Sequence, residues 1–214
     1  MSGCCARHGQ EEFFGEKTAA AAASRYRRKG PDPMTRSLAR RAAAGGVEGF
    51  SVLEIGGGIG QVALELAKAG AASAEVVELL PAYEPFVREL AAEAGIADRV
   101  SFRTADLVRE PTATAPADLV VMNKVVCCTP EGVELAGVAA ALARRMLVLS
   151  FPREVWWARA ALGTVNLYQR LRRRRFRVFV HPRTAIEGTV EAHGFARVSE
   201  RNGLLFRIAA FERV

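Results

Sequence analysis

Residues 52–60 read VLEIGGGIG: an apolar, strand-like run passes straight into five positions of which four are glycine. A glycine turn that closes a strand and opens a helix is where an α/β sheet brings its backbone close to a ligand. The flanking sequence agrees. Strand candidates occur at 50–55, 73–79, 99–105, 117–123 and 145–151, recurring at about the length of a βα unit. Between them, Ile59, Val62, Ala63 and Leu66 share one helix face, as do Tyr83, Phe86, Val87, Leu90 and Ala94. Such alternation predicts a doubly wound, mostly parallel sheet with helices on both faces.

The two ends differ from the middle. Residues 11–45 are rich in Ala and Arg and predict one or two helices broken at GPDP, 30–33. At the other end, FARVSERNGLLFRIAAFERV places two apolar runs about Asn202-Gly203, the signal of an antiparallel hairpin. We expect an N-terminal helical cap or lid over 1–46 and one α/β domain over 47–214, with a helical insertion at about 152–175. The sheet would have seven strands and end in that hairpin.

No run of about 18 apolar residues occurs, and the N-terminus has no apolar signal core, so a cytoplasmic protein without a membrane span is expected. The cysteines form two adjacent pairs, Cys4-Cys5 and Cys127-Cys128. Adjacent cysteines lack the spacing of a zinc site, so no metal is expected. Cys127-Cys128 read as buried small hydrophobes, with a thiol cluster including Cys4-Cys5 as the lesser reading. The net charge of +7 is uneven: 170–183 carry seven bases and no acid, and 1–46 carry nine bases against four acids. Basic stretches of this kind suit nucleic acid, an acidic membrane surface or an anionic small molecule, or are simply a solvated helix end.

Which ligand the glycine turn receives is decided by its neighbours. A P-loop needs Lys and Ser/Thr after the last glycine, where Gln61-Val62 stand. The dinucleotide pattern G-x-G-x-x-G from Gly56 requires glycine at 61 and finds Gln61, while Glu54 just before the turn would repel a diphosphate. S-adenosylmethionine carries an ammonium and a sulfonium instead, so an acid becomes an attraction. The series Glu54-x-Gly56-x-Gly58-x-Gly60 resembles the first motif of class I S-adenosylmethionine-dependent methyltransferases. The resemblance extends to Glu78, eighteen residues after Gly60, where that family keeps the acid that binds both ribose hydroxyls. It extends also to Asp106 in TAD, which would receive the adenine amino group. It implies Leu79, Leu107 and Asn123 as further cofactor neighbours. Local readings stay open: Glu54 capping or pairing nearby, Glu78 serving a nicotinamide ribose, Asp106 capping a turn.

On the acceptor side, NKVVCCTP at 123–130 lacks the Asn/Asp-Pro-Pro-aromatic sequence of amino-methylating nucleic-acid enzymes. Cys127 also lacks the proline that precedes the nucleophile of cytosine carbon-5 enzymes. Nucleic acid is therefore disfavoured, though not excluded. Trp156, Trp157, Leu162, Val165 and Tyr168 give the insertion enough apolar surface to form a substrate wall or, alternatively, to pack in the core. His181 in FVHP is the candidate acceptor contact or base, against a structural hydrogen bond; His8 and His193 look peripheral. Tyr26 is expected on a helix closing over the donor. One or two of Arg172 to Arg175 and Arg177, with Arg177 the candidate, are expected to face an anionic acceptor. VLEIGGGIG, VVCC, LVLSFPR and FRVFVHP loosely resemble the magnesium-protoporphyrin O-methyltransferases, without implying a porphyrin substrate. The expected function is methyl transfer to a small anionic or aromatic acceptor, O-methylation favoured. The rivals are an RNA or protein methyltransferase and a catalytically inactive nucleotide-binding regulatory domain.

Overall fold

The structure, a computed structural model, describes residues 9–214; Cys4, Cys5 and His8 lie outside them. Three helices lead the chain: α1 (Gln10–Phe14), α2 (Glu16–Lys29) and α3 (Pro33–Ala42). Asp32 starts α3 by accepting hydrogen bonds from the Met34 and Thr35 amides at 3.0 and 3.2 Å, with Pro33 supplying the preset first position. The break expected at GPDP is thus a helix cap.

The alternating segment follows as β1 (Ser51–Ile55), α4 (Gln61–Lys68), β2 (Ser73–Glu78), α5 (Glu84–Glu93), β3 (Val100–Thr104), β4 (Ala117–Asn123), α6 (Gly132–Leu142) and β5 (Ala143–Pro152). Then come α7 (Trp156–Leu171), α8 (Arg183–Glu191), β6 (Phe195–Asn202) and β7 (Phe206–Arg213). The seven strands lie in the order β3-β2-β1-β4-β5-β7-β6. The first five are parallel, and β7 pairs antiparallel with both β5 and β6. The hairpin is real, but its turn is displaced. Asn202 still pairs with Arg207, and Gly203 donates to the Phe206 carbonyl at 2.8 Å, so Leu204-Leu205 form the tip.

Strand residues alternate between two cores, as a two-residue period demands. Val52, Leu119, Val121 and Val148 pack under α2 to α5, while Leu53, Val120, Met122, Leu147 and Leu149 pack under α6 and α8. Helices cover both faces, so the central strands carry apolar side chains on both. The chain turns left from β1 to β2 and right from β1 to β4. The crevice above the carboxyl ends of β1 and β4 is therefore the switch point at which such sheets bind ligands. Among the described residues, no helix is long and apolar enough to cross a membrane.

Candidate active site

A cavity of about 360 Å3 lies at that switch point, at the small end of the roughly 300–1,000 Å3 usual for ligand pockets. Its floor is the glycine turn. Gly58 has φ of +55°, and a Cβ there would stand 3.3 Å from the Tyr83 ring. Its amide donates to Glu78 Oε2 at 2.9 Å, tying the turn to the end of β2. Glu78 Oε1 accepts from Leu79 and Leu80 amides at 2.7 and 3.3 Å. Burial pushes the Glu78 carboxyl above its ordinary value, against the three amides that hold it down.

Gly56, Gly58, Glu78, Leu79, Asp106, Leu107 and Asn123 all line this cavity, together with Gly57, Ile59 and Gln61. Asp106 also caps its own turn, accepting from the Val108 amide at 3.2 Å. Gly60 does not line it; with φ of +71° it opens α4, where a Cβ would meet Val76 at 2.8 Å.

Glu54 is at the floor but only 1% exposed. Its oxygens accept the Val62 and Ala63 amides at 3.4 and 2.7 Å, so it serves the start of α4, the local capping alternative. Burial raises its carboxyl to about 8 despite those two amides, with the Glu78 charge adding to the rise. Direct contact between Glu54 and a ligand cation is not what this geometry offers.

Five further residues expected at the site do not line this cavity. Tyr26 points over α4 beyond the cavity rim: its hydroxyl donates to Glu65 at 2.6 Å and accepts from Lys68 at 2.8 Å. Ala22 and Thr18, one and two turns earlier on α2, line the cavity instead. His181 Nε2 donates to the Thr129 carbonyl at 3.0 Å, and its ring is not among the cavity walls. Trp156 is open to solvent, and Trp157 Nε1 donates to the Leu204 carbonyl at 3.2 Å. Arg177 is folded onto the Arg174 and Phe176 carbonyls. The two tryptophans share a cause: α7 leaves β5 beside the β6–β7 hairpin, two to three strands or roughly 10–15 Å across the sheet from β1. None of Arg172 to Arg175 lines the cavity either.

Sequence reasoning missed the walls supplied by Gln10, Phe14, Thr18, Asp32, Lys124 and Glu131. Asp32 and Lys124 form an ion pair at 3.0 Å, and Thr35 bridges them to β4 by donating to Asp32 and accepting from Asn123 Nδ2 at 2.9 Å. Burial raises the Asp32 carboxyl, but Thr35 and the Lys124 ammonium outweigh it and hold it below its ordinary value. Lys124 itself sits at φ of +61°, held by its amide to Ser150 Oγ at 2.8 Å. The usable signals were a helix cap at Asp32 and the position of Lys124 just past a strand end. Among the described lining residues Lys124 is the one cation, beside five carboxylates. Cys127 is buried as expected, and Cys128 reaches the cavity wall.

A seven-stranded sheet of this order, with a glycine turn at its switch point and acids ending β2 and following β3, is the fold of the class I methyltransferases. Residues 52–146 match the family model described as a methyltransferase domain. Among solved structures, magnesium protoporphyrin IX methyltransferase from Synechocystis PCC 6803 with bound SAH is similar at 18% identity and TM-score 0.66, covering 94% of this chain and 84% of that one. An O-methyltransferase family protein from Burkholderia thailandensis reaches 20% and 0.74, over 96% and 63%. An O-methyltransferase family 2 protein from Planctomyces limnophilus, in complex with apigenin, reaches 15% and 0.68, over 94% and 62%. No curated protein sequence is a significant match. Residues 52–146 thus carry a methyltransferase domain, in a chain with the fold of the class I S-adenosylmethionine-dependent methyltransferases, and similar structures hold SAH or SAM.

Proposed function

We propose that this enzyme methylates an oxygen of a small, largely apolar or aromatic acceptor. The carrying observation is the character of the cavity beyond the glycine turn: Phe14, Val108, Val125 and Leu135 make apolar walls, and among the described lining residues there is no arginine to hold an anion. That support goes to the aromatic half of the expectation and not to the anionic half. The similarity to O-methyltransferases, one of them holding apigenin, points the same way.

The cofactor supplies an electrophilic methyl on a sulfonium, transferred in line to the acceptor. The residues present fit it: a close-approach turn at Gly56 to Gly58, Glu78 with oxygen lone pairs left for ribose hydroxyls, and Asp106 for the adenine amino group. Gly57, Leu79, Leu107 and Asn123 complete that half. Helices α1 to α3 cap the other half through Gln10, Phe14, Thr18, Asp32 and Thr35, excluding water from the transfer and positioning the acceptor. Glu131, whose carboxylate accepts from the Thr129 hydroxyl at the cavity wall, takes the acceptor's proton.

The test is a screen of phenols, catechols and aromatic carboxylates with methyl-labelled cofactor. We expect transfer to a hydroxyl, a kcat lowered about 100-fold or more by Glu131→Gln, and unchanged cofactor affinity. Transfer only to carboxylates, undisturbed by Glu131→Gln, would overturn the proposal.

A further inference from the structure

The arginine run and the aromatic insertion, unused by the site, lie together on one outer face. Helix α7 is apolar on two sides. Ala158, Leu162 and Gln169 face the protein. On the opposite side Trp156, Ala160, Gly163, Leu167 and Leu171 are all exposed and recur at helical spacing, a continuous stripe about 24 Å long. Trp156, Leu167 and Leu171 are 77%, 57% and 75% exposed, and Leu204 at the adjoining hairpin tip is 76% exposed. The indole of Trp157, hydrogen-bonded to the Leu204 carbonyl, joins the tip to the helix.

Charge borders the stripe on one sign. At 100° per residue, Arg159 and Arg170 flank one edge, and Trp157 and Tyr168 the other. Residues 152–175 contain seven arginines and one acid, Glu154, which lies 3.7 Å from Arg159. Arg153 and Arg172 stack over the rings of Trp157 and Tyr168, each at 5.5 Å.

We propose that α7 and the hairpin tip dock the enzyme on an anionic lipid bilayer, with the helix lying in the interface plane. Tryptophan and leucine on the outer stripe suit the acyl boundary, and arginines at its edges suit lipid phosphates, their stems covering apolar surface while their heads stay wet. A second copy fits worse, because a two-fold contact of this face would set arginines against arginines. The face connects to the cavity: Phe176, just after the run, stacks on Phe13 at 5.0 Å and meets Phe14 edge-on at 5.1 Å, and Phe14 is a cavity wall. The proposal does not rest on the acceptor's identity.

The test is co-sedimentation of the full chain with vesicles of phosphatidylcholine and phosphatidylglycerol at about a 7:3 ratio, against phosphatidylcholine alone. We expect binding to the anionic vesicles only, weakened by added salt. Leu167→Ser with Leu171→Ser, and separately Arg170→Glu with Arg172→Glu, should each reduce binding at least tenfold. Both double variants change exposed side chains, so circular dichroism and binding of S-adenosylhomocysteine should match the wild type. Wild-type protein left in the supernatant would overturn the proposal. So would full binding by the leucine variant, or self-association in sedimentation velocity that the leucine variant abolishes.

Discussion

Glu54 illustrates how a motif residue acts through the scaffold. Its carboxylate closes the start of α4 directly behind the glycine turn, so what it contributes is the shape of that turn. Its titration follows from burial. With the folded carboxyl raised to about 8 and the unfolded one at 4.5, the folded protein holds the extra proton between those values. The stability Glu54 confers is therefore full below about 4.5 and lost as pH rises through 8. Thermal unfolding of wild type and Glu54→Gln across pH 5 to 8 should show the wild type losing ground to the variant; a constant difference would contradict this. Gly58 is constrained differently. Valine there would need φ of +55° and would press on Tyr83, so Gly58→Val should reduce cofactor affinity at least tenfold while the melting temperature shows the core still folded. Unaltered calorimetric affinity would show that the turn tolerates a side chain.

Polar contacts fasten the leading helices to the rest of the fold, two of them open to direct test. Tyr26 pins α2 to α4 through Glu65 and Lys68, a hydrogen-bonded cluster in which burial, with the Glu65 carboxylate, keeps the phenol protonated. Tyr26→Phe should cost about 1–3 kcal/mol in urea unfolding, the scale of a broken hydrogen bond with a charged partner, and leave cofactor affinity unchanged. Asp32 and Lys124 join α3 to the end of β4 inside the cavity wall. Lys124→Met should accordingly act on binding: we expect a weaker cofactor or acceptor interaction in calorimetry and steady-state kinetics, larger than its effect on melting. The reverse order would make the pair a fold-stabilising contact alone.

Across the whole molecule, what was legible in the sequence was what depends on local pattern. Period-two and helical spacings with the turn signal located all seven strands, and the motif pattern located Gly58, Glu78 and Asp106, three positions that the topology brings to one crevice. What depends on lateral position in the sheet was not legible. Trp156 and Trp157 follow β5 in the chain, and nothing local reveals that β7 inserts beside β5 and that their helix lies against the hairpin, away from the switch point. The Asn202-Gly203 pair misled for a related reason: pairing of Asn202 with Arg207 across a two-sided register moved the turn to Leu204-Leu205. The walls from Asp32 and Lys124 are long-range partners that no spacing rule connects. The central proposal joins the levels: that the glycine turn, Glu78 and Asp106 together hold the cofactor. Isothermal titration of S-adenosylhomocysteine into wild type and Glu78→Ala tests it most directly. The account predicts saturable binding by the wild type, weakened by about 1.5–3 kcal/mol in the variant, and no comparable heat with NADH. Equal affinity in the two proteins, or tighter binding of NADH, would contradict it.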